Sequence, residues 1–282
     1  MRVVIQQADM DTILTALILG VDVGDEIAVV RGDASRTDLE DPAVCCIEAG
    51  GSGEVERRNF DHHDTSRPLP PACRQAFETT GRGDPGLAHL VDYVAAIDVG
   101  DTSIFERPVS FPRLSDLVSG MRLSLSDPRA QLLAGIGIFR TVLREGIDPF
   151  GTMPERPEWR SWIEARRQEN ERLARERGRA EIFKTDREHT AGFLETDTIG
   201  AIGTLYALGC EIAIGFAPHF GTPPVPKYTI AGKGIRVDHL LPLLNALEPG
   251  WGGPAHGTII ASPRTGSRLP PDKVKEIVRT SA

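Results

Sequence analysis

Through the first half of the chain, apolar and β-branched residues gather in short runs separated by Gly, Asp and Pro. Arg2–Gln7, Glu26–Arg31 and Ala43–Glu48 are such runs, and their length and bounding residues predict strands. Between the first two lies Thr12–Gly20, dense in Leu, Ile and Ala, which predicts a buried helix capped by Asp11 or Thr12. Apolar positions predict further helices over Leu87–Ile97, Ser115–Leu125 and Ala130–Glu145. Strands alternating with helices imply an α/β fold built on a mostly parallel sheet.

The pattern changes near Gly146–Pro157, which is rich in Pro and Gly. It then opens into Glu158–Arg179, dense in Glu, Arg and Gln, with a thin apolar stripe of Trp159, Trp162, Ile163 and Leu173. This segment predicts a long exposed helix laced by i,i+4 charge pairs, with the tryptophans packing it. Beyond it, strands are predicted at Ala180–Lys184, Glu211–Phe216, Tyr228–Ala231 and Thr258–Ala261, and helices at Thr198–Leu208, Val237–Leu247 and Pro271–Arg279. The expected organisation is a domain over residues 1–150, a linker helix over 151–179, and a smaller α/β domain over 180–282.

Composition narrows the class. The chain has 282 residues, 40% hydrophobic and 26% charged, the balance of a soluble globular protein. No run approaches the roughly 18 uncharged apolar residues of a membrane span, so no membrane partner is expected. The N-terminus runs straight into a strand-like segment without a signal-peptide pattern. Cys45, Cys46, Cys73 and Cys210 have the spacing of neither a zinc site nor a disulfide framework, and read as reduced thiols in a cytoplasmic protein. The net charge of −8 is uneven: residues 1–150 carry 14 basic and 24 acidic side chains, against 18 and 16 in the remainder. A carboxylate-rich half suits hard divalent cations. Net acidity argues against a large nonspecific nucleic-acid surface.

Two short segments carry chemistry. Asp9-Met10-Asp11 follows the first predicted strand, where open α/β sheets place their ligands. In extended backbone its two carboxylates point to the same side, although Asp at this place is also a common helix cap. Asn59-Phe60-Asp61-His62-His63-Asp64 puts consecutive imidazoles between acids at the end of another strand-like segment. Imidazole with carboxylate suits Mn²⁺, Fe²⁺, Zn²⁺ or Co²⁺, whereas all-oxygen shells suit Mg²⁺ and Ca²⁺. Together the segments point to one shared metal site.

Over nearly its whole length the chain resembles the DHH phosphoesterase superfamily, which includes RecJ-type nucleases, nanoRNA and cyclic-dinucleotide phosphodiesterases, and manganese pyrophosphatases. Asp9 and Asp11 match the opening D-x-D, and Asp61-His62-His63 matches the triplet that names the superfamily. Glu48 stands where an Asp bridges two metals, and Asp98 best matches the fourth motif, with Asp101 next. Trp251-Gly252-Gly253-Pro254-Ala255-His256-Gly257, followed by Ser262-Pro263-Arg264, resembles the Gly-Gly-His substrate motif of the DHH-associated domain. Glycines there let backbone N–H groups approach an anion, while His and Arg donate charge-assisted hydrogen bonds.

The resemblance implies Asp9, Asp11, Glu48, His62 and Asp98 as metal ligands, with manganese the leading cation and Mg²⁺ or Co²⁺ admitted. It implies His63 and Asp61 as catalytic groups, and Gly252, Gly253, His256 and Arg264 as substrate contacts. The implied activity is hydrolysis of a phosphate ester or anhydride of a small nucleotide or short oligonucleotide, and a homodimer is an admitted assembly. Two departures stand out. Ile5 occupies the place of a ligating His four residues before Asp9, and Glu48 is one methylene longer than the usual Asp. They keep open a non-catalytic nucleotide- or phosphate-binding protein; a phosphotransferase is the third reading. His89, His189, His219 and His239 read as surface or packing residues. The arginines at 166, 167, 172 and 175 interleave with Glu and read as a solvated helix face.

Overall fold

The computed structural model describes residues 1–63, 67–81, 83–100, 109–221, 223–253 and 257–281. Asp101 and His256 lie outside the described residues. The chain divides into two compact units, Met1–Arg167 and Gln168–Ala282.

The first unit is built on four parallel strands, β1 (Arg2–Ile5), β2 (Glu26–Val29), β3 (Val44–Ile47) and β4 (Asn59–Phe60), in the order β2-β1-β3-β4. In register, Val3 lies beside Ile27 and Cys45, and Ile5 beside Val29 and Ile47. The side-chain period of two sorts each strand into two faces. Val3, Ile5, Cys45, Ile47 and Phe60 join the main core, whereas Val4, Val44 and Cys46 pack on the other face with Ala34 and Ala49. Burial on both faces explains why these strands read as continuous apolar runs.

The main core is completed by α1 (Met10–Ile18), α3 (Ala72–Thr80), α4 (Pro85–Asp98), α5 (Leu114–Ser124) and α6 (Pro128–Glu145), while the short α2 (Arg36–Glu40) buries no residue. Local chemistry sets the boundaries. Asp84, just before Pro85, accepts from the Gly86 and Leu87 N–H groups, Asp127, just before Pro128, accepts from that of Arg129, and α6 stops at Gly146 in left-handed backbone. Small residues set close approaches: a Cβ on Gly135 would lie 2.5 Å from Ile13, and one on Gly120 only 1.9 Å from the Trp162 carbonyl oxygen.

The long charged helix, α7 (Arg160–Glu176), crosses the boundary between the units. It differs from the expected solvated helix with i,i+4 pairs. In the first unit Trp159 is buried, Trp162 and Ile163 pack against the main core, and Arg166 pairs with Asp116 at 3.4 Å. The described pairs on its surface, Arg167–Glu164 and Arg172–Glu169, have i,i+3 spacing. In the second unit Glu169 is buried and accepts from the Ile199 backbone N–H at 2.9 Å.

The second unit holds a mixed sheet of β5 (Glu181–Lys184), β6 (Thr190–Glu195), β7 (Ile212–Phe220), β8 (Val225–Gly232) and β9 (Ile259–Ala261), in that order. Only β6 and β7 run parallel, joined by α8 (Ala201–Ala207). One face packs on α9 (Leu241–Leu247) and α10 (Pro271–Ser281), whose Val274, Ile277 and Val278 recur at helical spacing. Phe216, Tyr228 and Trp251 stack in sequence, with centroids 4.3 and 5.9 Å apart. The predicted helix over Val237–Leu247 resolves into a 3₁₀ turn at Asp238–Leu240 and α9.

The fold is thus α/β, an all-parallel sheet followed by a smaller mixed one. All four cysteines are buried and free. No helix among the described residues is long and apolar enough to cross a membrane.

Candidate metal centre

Parallel strands deliver Asp9, Glu48 and Asp61-His62-His63 just beyond the carboxyl ends of β1, β3 and β4. The D-x-D is not extended, as its spacing had suggested. Asp9 is the cap of α1 and accepts from the Thr12 N–H at 2.9 Å, while Asp11 sits in the first helical turn. One segment therefore ends a strand, caps a helix and presents a second carboxylate a residue inside it.

Asp11 is fixed by a segment distant in sequence. Its two oxygens accept from the Ala72 and Cys73 N–H groups, each at 2.7 Å, at the start of α3. Helix N-termini carry unsatisfied N–H groups and favour negative charge. Burial, the larger effect, still raises its pKa to about 6, with a further push from Asp9.

Glu48 leaves β3 in left-handed backbone at φ 49, followed by Gly50 and Gly51, also at positive φ. That conformation costs a non-Gly residue roughly 1–2 kcal/mol, and stored strain of this kind clusters at functional sites. The Thr12 hydroxyl donates to Glu48 Oε2 at 3.1 Å. Oε1 is buried and makes no hydrogen bond. Burial first, then the charges of Asp9, Asp11 and Asp98, push the Glu48 pKa well up.

The triplet divides its work. Asp61 accepts from the Gly50 N–H at 2.7 Å and, through Oδ1, from the His63 N–H at 2.7 Å, with His63 Nδ1 3.0 Å from the same oxygen. Burial alone would raise the Asp61 pKa, but the bonds from His63 and Gly50 together hold it below the usual carboxylate range. The hydrogen bond to Asp61, outweighing burial, raises the pKa of His63. Asp61 therefore positions His63 and favours its charged form. Gln75 of α3 donates to the Asp61 carbonyl at 3.0 Å.

His62 turns inward. Its Nε2 lies 3.3 Å from Glu48 Oε1 and 3.3 Å from Asp98 Oδ2. Asp11, His62 and Asp98 offer ligand atoms within 4.8 Å of one another, and so do Glu48, His62 and His63. Asp98 is the last residue of α4, where the helix dipole disfavours an anion. Burial, then Asp11 and Asp9, raise its pKa to about 7. Among the described residues no Lys or Arg pairs with Asp9, Asp11, Glu48 or Asp98. Uncompensated buried carboxylates are costly, and the bare Glu48 oxygen aimed at an imidazole is what a missing cation would satisfy. The donor set of carboxylates and one imidazole fits a borderline divalent ion.

The other expected residues are less convergent. Asp9 belongs to neither ligand group; Gln7 Nε2 donates to its Oδ2 at 2.9 Å, and Arg122 in turn reaches Gln7 Oε1 at 3.3 Å. In the second unit the Gly252 N–H is occupied by the Ala261 carbonyl at 3.1 Å, and a Cβ on Gly253 would meet the Ile259 oxygen at 2.2 Å. Arg264 is exposed. His89, His189 and His219 pair with Asp148, Glu211 and Asp197, and His239 contacts the Ser281 carbonyl. The cap expected at Asp11 or Thr12 is instead Asp9, and Thr12, Gln7, Gln75 and the start of α3 carry no sequence signal for the site.

Comparison with solved structures identifies the fold. A pGpG-specific phosphodiesterase from Vibrio cholerae matches with a TM-score of 0.51 and 16% identity, covering 92% of this chain and 91% of its own. The DHH domain of a member of the s1p family of ribosomal proteins matches with a TM-score of 0.56 and 11% identity, covering 98% and 84%. No protein-family profile and no curated protein sequence matches. The chain has the fold of the DHH phosphoesterase superfamily.

Proposed function

We propose that this protein is a metal-dependent phosphoesterase that hydrolyses a phosphate ester or anhydride of a small nucleotide or short oligonucleotide. The observation that carries the reading is the convergence of Asp11, Glu48, His62 and Asp98, with no Lys or Arg paired to them among the described residues, at the carboxyl edge of a DHH-type parallel sheet. These residues would hold a divalent cation, manganese first, with Mg²⁺ or Co²⁺ admitted. Such a cation supplies Lewis-acid polarisation of a phosphoryl oxygen.

The chain's own groups do the rest. His63, with a side chain 46% exposed, is accessible to a substrate, while Asp61 holds its Nδ1. With Asp61 favouring the charged ring, His63 has an Nε2 proton to give to a departing oxygen. The pairing fixes ring orientation and leaves one nitrogen for the transfer. Residues 1–150 form the catalytic domain, 151–179 the linker helix, and 180–282 the substrate-binding domain. There Gly252, Gly253, His256 and the exposed Arg264 contact substrate phosphate, a guanidinium matching its oxygens bidentately. The pGpG-specific activity of the structural neighbour favours linear dinucleotides as the first substrates to try.

Purified chain loaded with Mn²⁺ should hydrolyse at least one of a linear dinucleotide, a cyclic dinucleotide, a short oligonucleotide, pyrophosphate or polyphosphate. Failure on all of them sinks the reading. The second reading, a non-catalytic phosphate- or nucleotide-binding protein, is favoured by Ile5, fully buried where a metal-ligating His is usual. Thermal stabilisation by a nucleotide without turnover would support it.

A further inference from the structure

We infer that the site is a single-ion centre, its cation held by Asp11, Glu48, His62 and Asp98, with Asp9 outside the ligand set. This rests on the metal-dependent reading above and sharpens it.

Both potential ligand groups, Asp11-His62-Asp98 and Glu48-His62-His63, contain the His62 imidazole. In each, the same Nε2 makes the close approach, 3.3 Å to Glu48 Oε1 and 3.3 Å to Asp98 Oδ2. An imidazole nitrogen has one lone pair in the ring plane and serves one ion. The two groups therefore collapse into one centre. His63 does not enlarge it, because its Nδ1 is 3.0 Å from Asp61 and holds that bond.

A second ion would need other ligands, and the described residues do not supply a full set. Ile5 is fully buried in β1 with the main core around it, so position 5 offers no donor and no room for water. Asp9 faces competition at both oxygens: Oδ1 caps α1 through the Thr12 N–H at 2.9 Å, and Oδ2 accepts from Gln7 at 2.9 Å. Asp11 also accepts two N–H bonds, but its carboxylate converges with His62 and Asp98, whereas that of Asp9 joins no ligand group among the described residues. Among the described residues a second ion is left with Glu48, already aimed at His62, and with Asp9 beside it, both of whose oxygens already accept hydrogen bonds. By contrast, the first centre has an independent sign of a missing ligand, the buried Glu48 Oε1 that makes no hydrogen bond.

The test counts ions without reference to turnover. The full chain is titrated with Mn²⁺ alone and with Co²⁺ alone by calorimetry, and stoichiometry is read by native mass spectrometry. The expected result is one ion per chain. Asp9→Asn, which keeps the α1 cap, should retain that stoichiometry with affinity changed less than about tenfold, the low end for groups outside the ligand set. His62→Ala and Asp98→Asn should weaken the ion by more than about 100-fold, beyond that outer-group range. Bound Co²⁺ should give a visible absorption that Asp9→Asn leaves in place and His62→Ala removes. Two ions of comparable affinity, or loss of the ion in Asp9→Asn to the degree seen in His62→Ala, overturns the inference. A chain that binds one ion and hydrolyses nothing sinks the hydrolase reading alone; one that binds two and turns over sinks only the inference.

Discussion

Replacing Asp98 by Asn separates what the site costs the fold from what it gives a cation. Asp98 ends α4, and burial followed by the charges of Asp11 and Asp9 moves its pKa from 3.8 to about 7. In the unfolded chain the same carboxyl ionises near its ordinary value. The folded, cation-free chain thus binds the proton more tightly. The contribution of Asp98 to stability is fully present below about pH 4, is lost as pH rises towards about 7, and is lowest above that. A shift of this size corresponds to about 4 kcal/mol. The side chain is 24% exposed, so screening by water reduces the expected cost to about 2–3 kcal/mol. Asn has no charge to bury. In chelator, Asp98→Asn should therefore be more stable than the parent by about 2–3 kcal/mol at pH 8, with the gain vanishing near pH 4. For a folding unit of this size that is a rise in Tm of roughly 4–12 °C. Adding Mn²⁺ should stabilise the parent and leave the variant unmoved. Scanning calorimetry of both chains from pH 4 to pH 8, with and without chelator, reads all of this. A variant no more stable than the parent at pH 8, or a gain that does not change with pH, would refute the reasoning.

His62→Ala should lower metal-dependent turnover to below a few per cent of the parent while far-ultraviolet circular dichroism stays unchanged. Asp11→Ala should lose turnover equally and also unfold more easily by about 1–3 kcal/mol, because it strips the N–H groups of Ala72 and Cys73 of their acceptor; denaturant titration separates the two. Arg264→Ala should raise KM with kcat nearly constant, since a phosphate clamp away from the reacting atoms binds ground and transition states alike; steady-state kinetics decide, and a pure kcat defect would place the guanidinium at the reacting phosphoryl. Gly120→Ala should destabilise the first unit by about 1–3 kcal/mol or more, because the new Cβ would meet the Trp162 oxygen at 1.9 Å; a neutral effect on Tm would mean that α5 and α7 pack more loosely.

Much of the frame was legible because burial on both faces of a parallel sheet leaves its mark in the residues themselves. Val3-Val4-Ile5 and Val44-Cys45-Cys46-Ile47 could hardly be anything but inner strands. The helices of the first unit announced themselves where large apolar residues recur, as in α4 and α6, whose Asp-Pro starts lie two residues before the predicted ones. Three elements left no such mark. In α3 the inward face is Ala72, Cys73, Gln75 and Ala76, small or polar residues that make no stripe. In α2 nothing is buried, and β6 reads as Thr-Ala-Gly-Phe-Leu-Glu, whose Gly192 is required by Cys210 and Leu205 beneath it.

The site shows the same division. The residue types and their order pointed to Asp11, Glu48, His62 and Asp98, but not to how they are held. That the helix begins at Met10 separates the roles of Asp9 and Asp11, and a spacing of two reads equally well as strand or helix start. The N–H groups that fix Asp11 lie about 60 residues away in sequence, on a helix that pattern did not reveal. The left-handed backbone that turns Glu48 inward belongs to a residue type that rarely adopts it.

The central claim, that this carboxylate–imidazole centre hydrolyses a phosphodiester or anhydride, is tested most directly by one measurement. The manganese-loaded chain is incubated with a 5′-phosphorylated linear dinucleotide, and mononucleotide release is followed by chromatography. The account predicts release that depends on Mn²⁺, stops on adding chelator and is absent in His62→Ala. No release from that substrate, nor from a cyclic dinucleotide, a short oligonucleotide, pyrophosphate or polyphosphate under the same conditions, would contradict it.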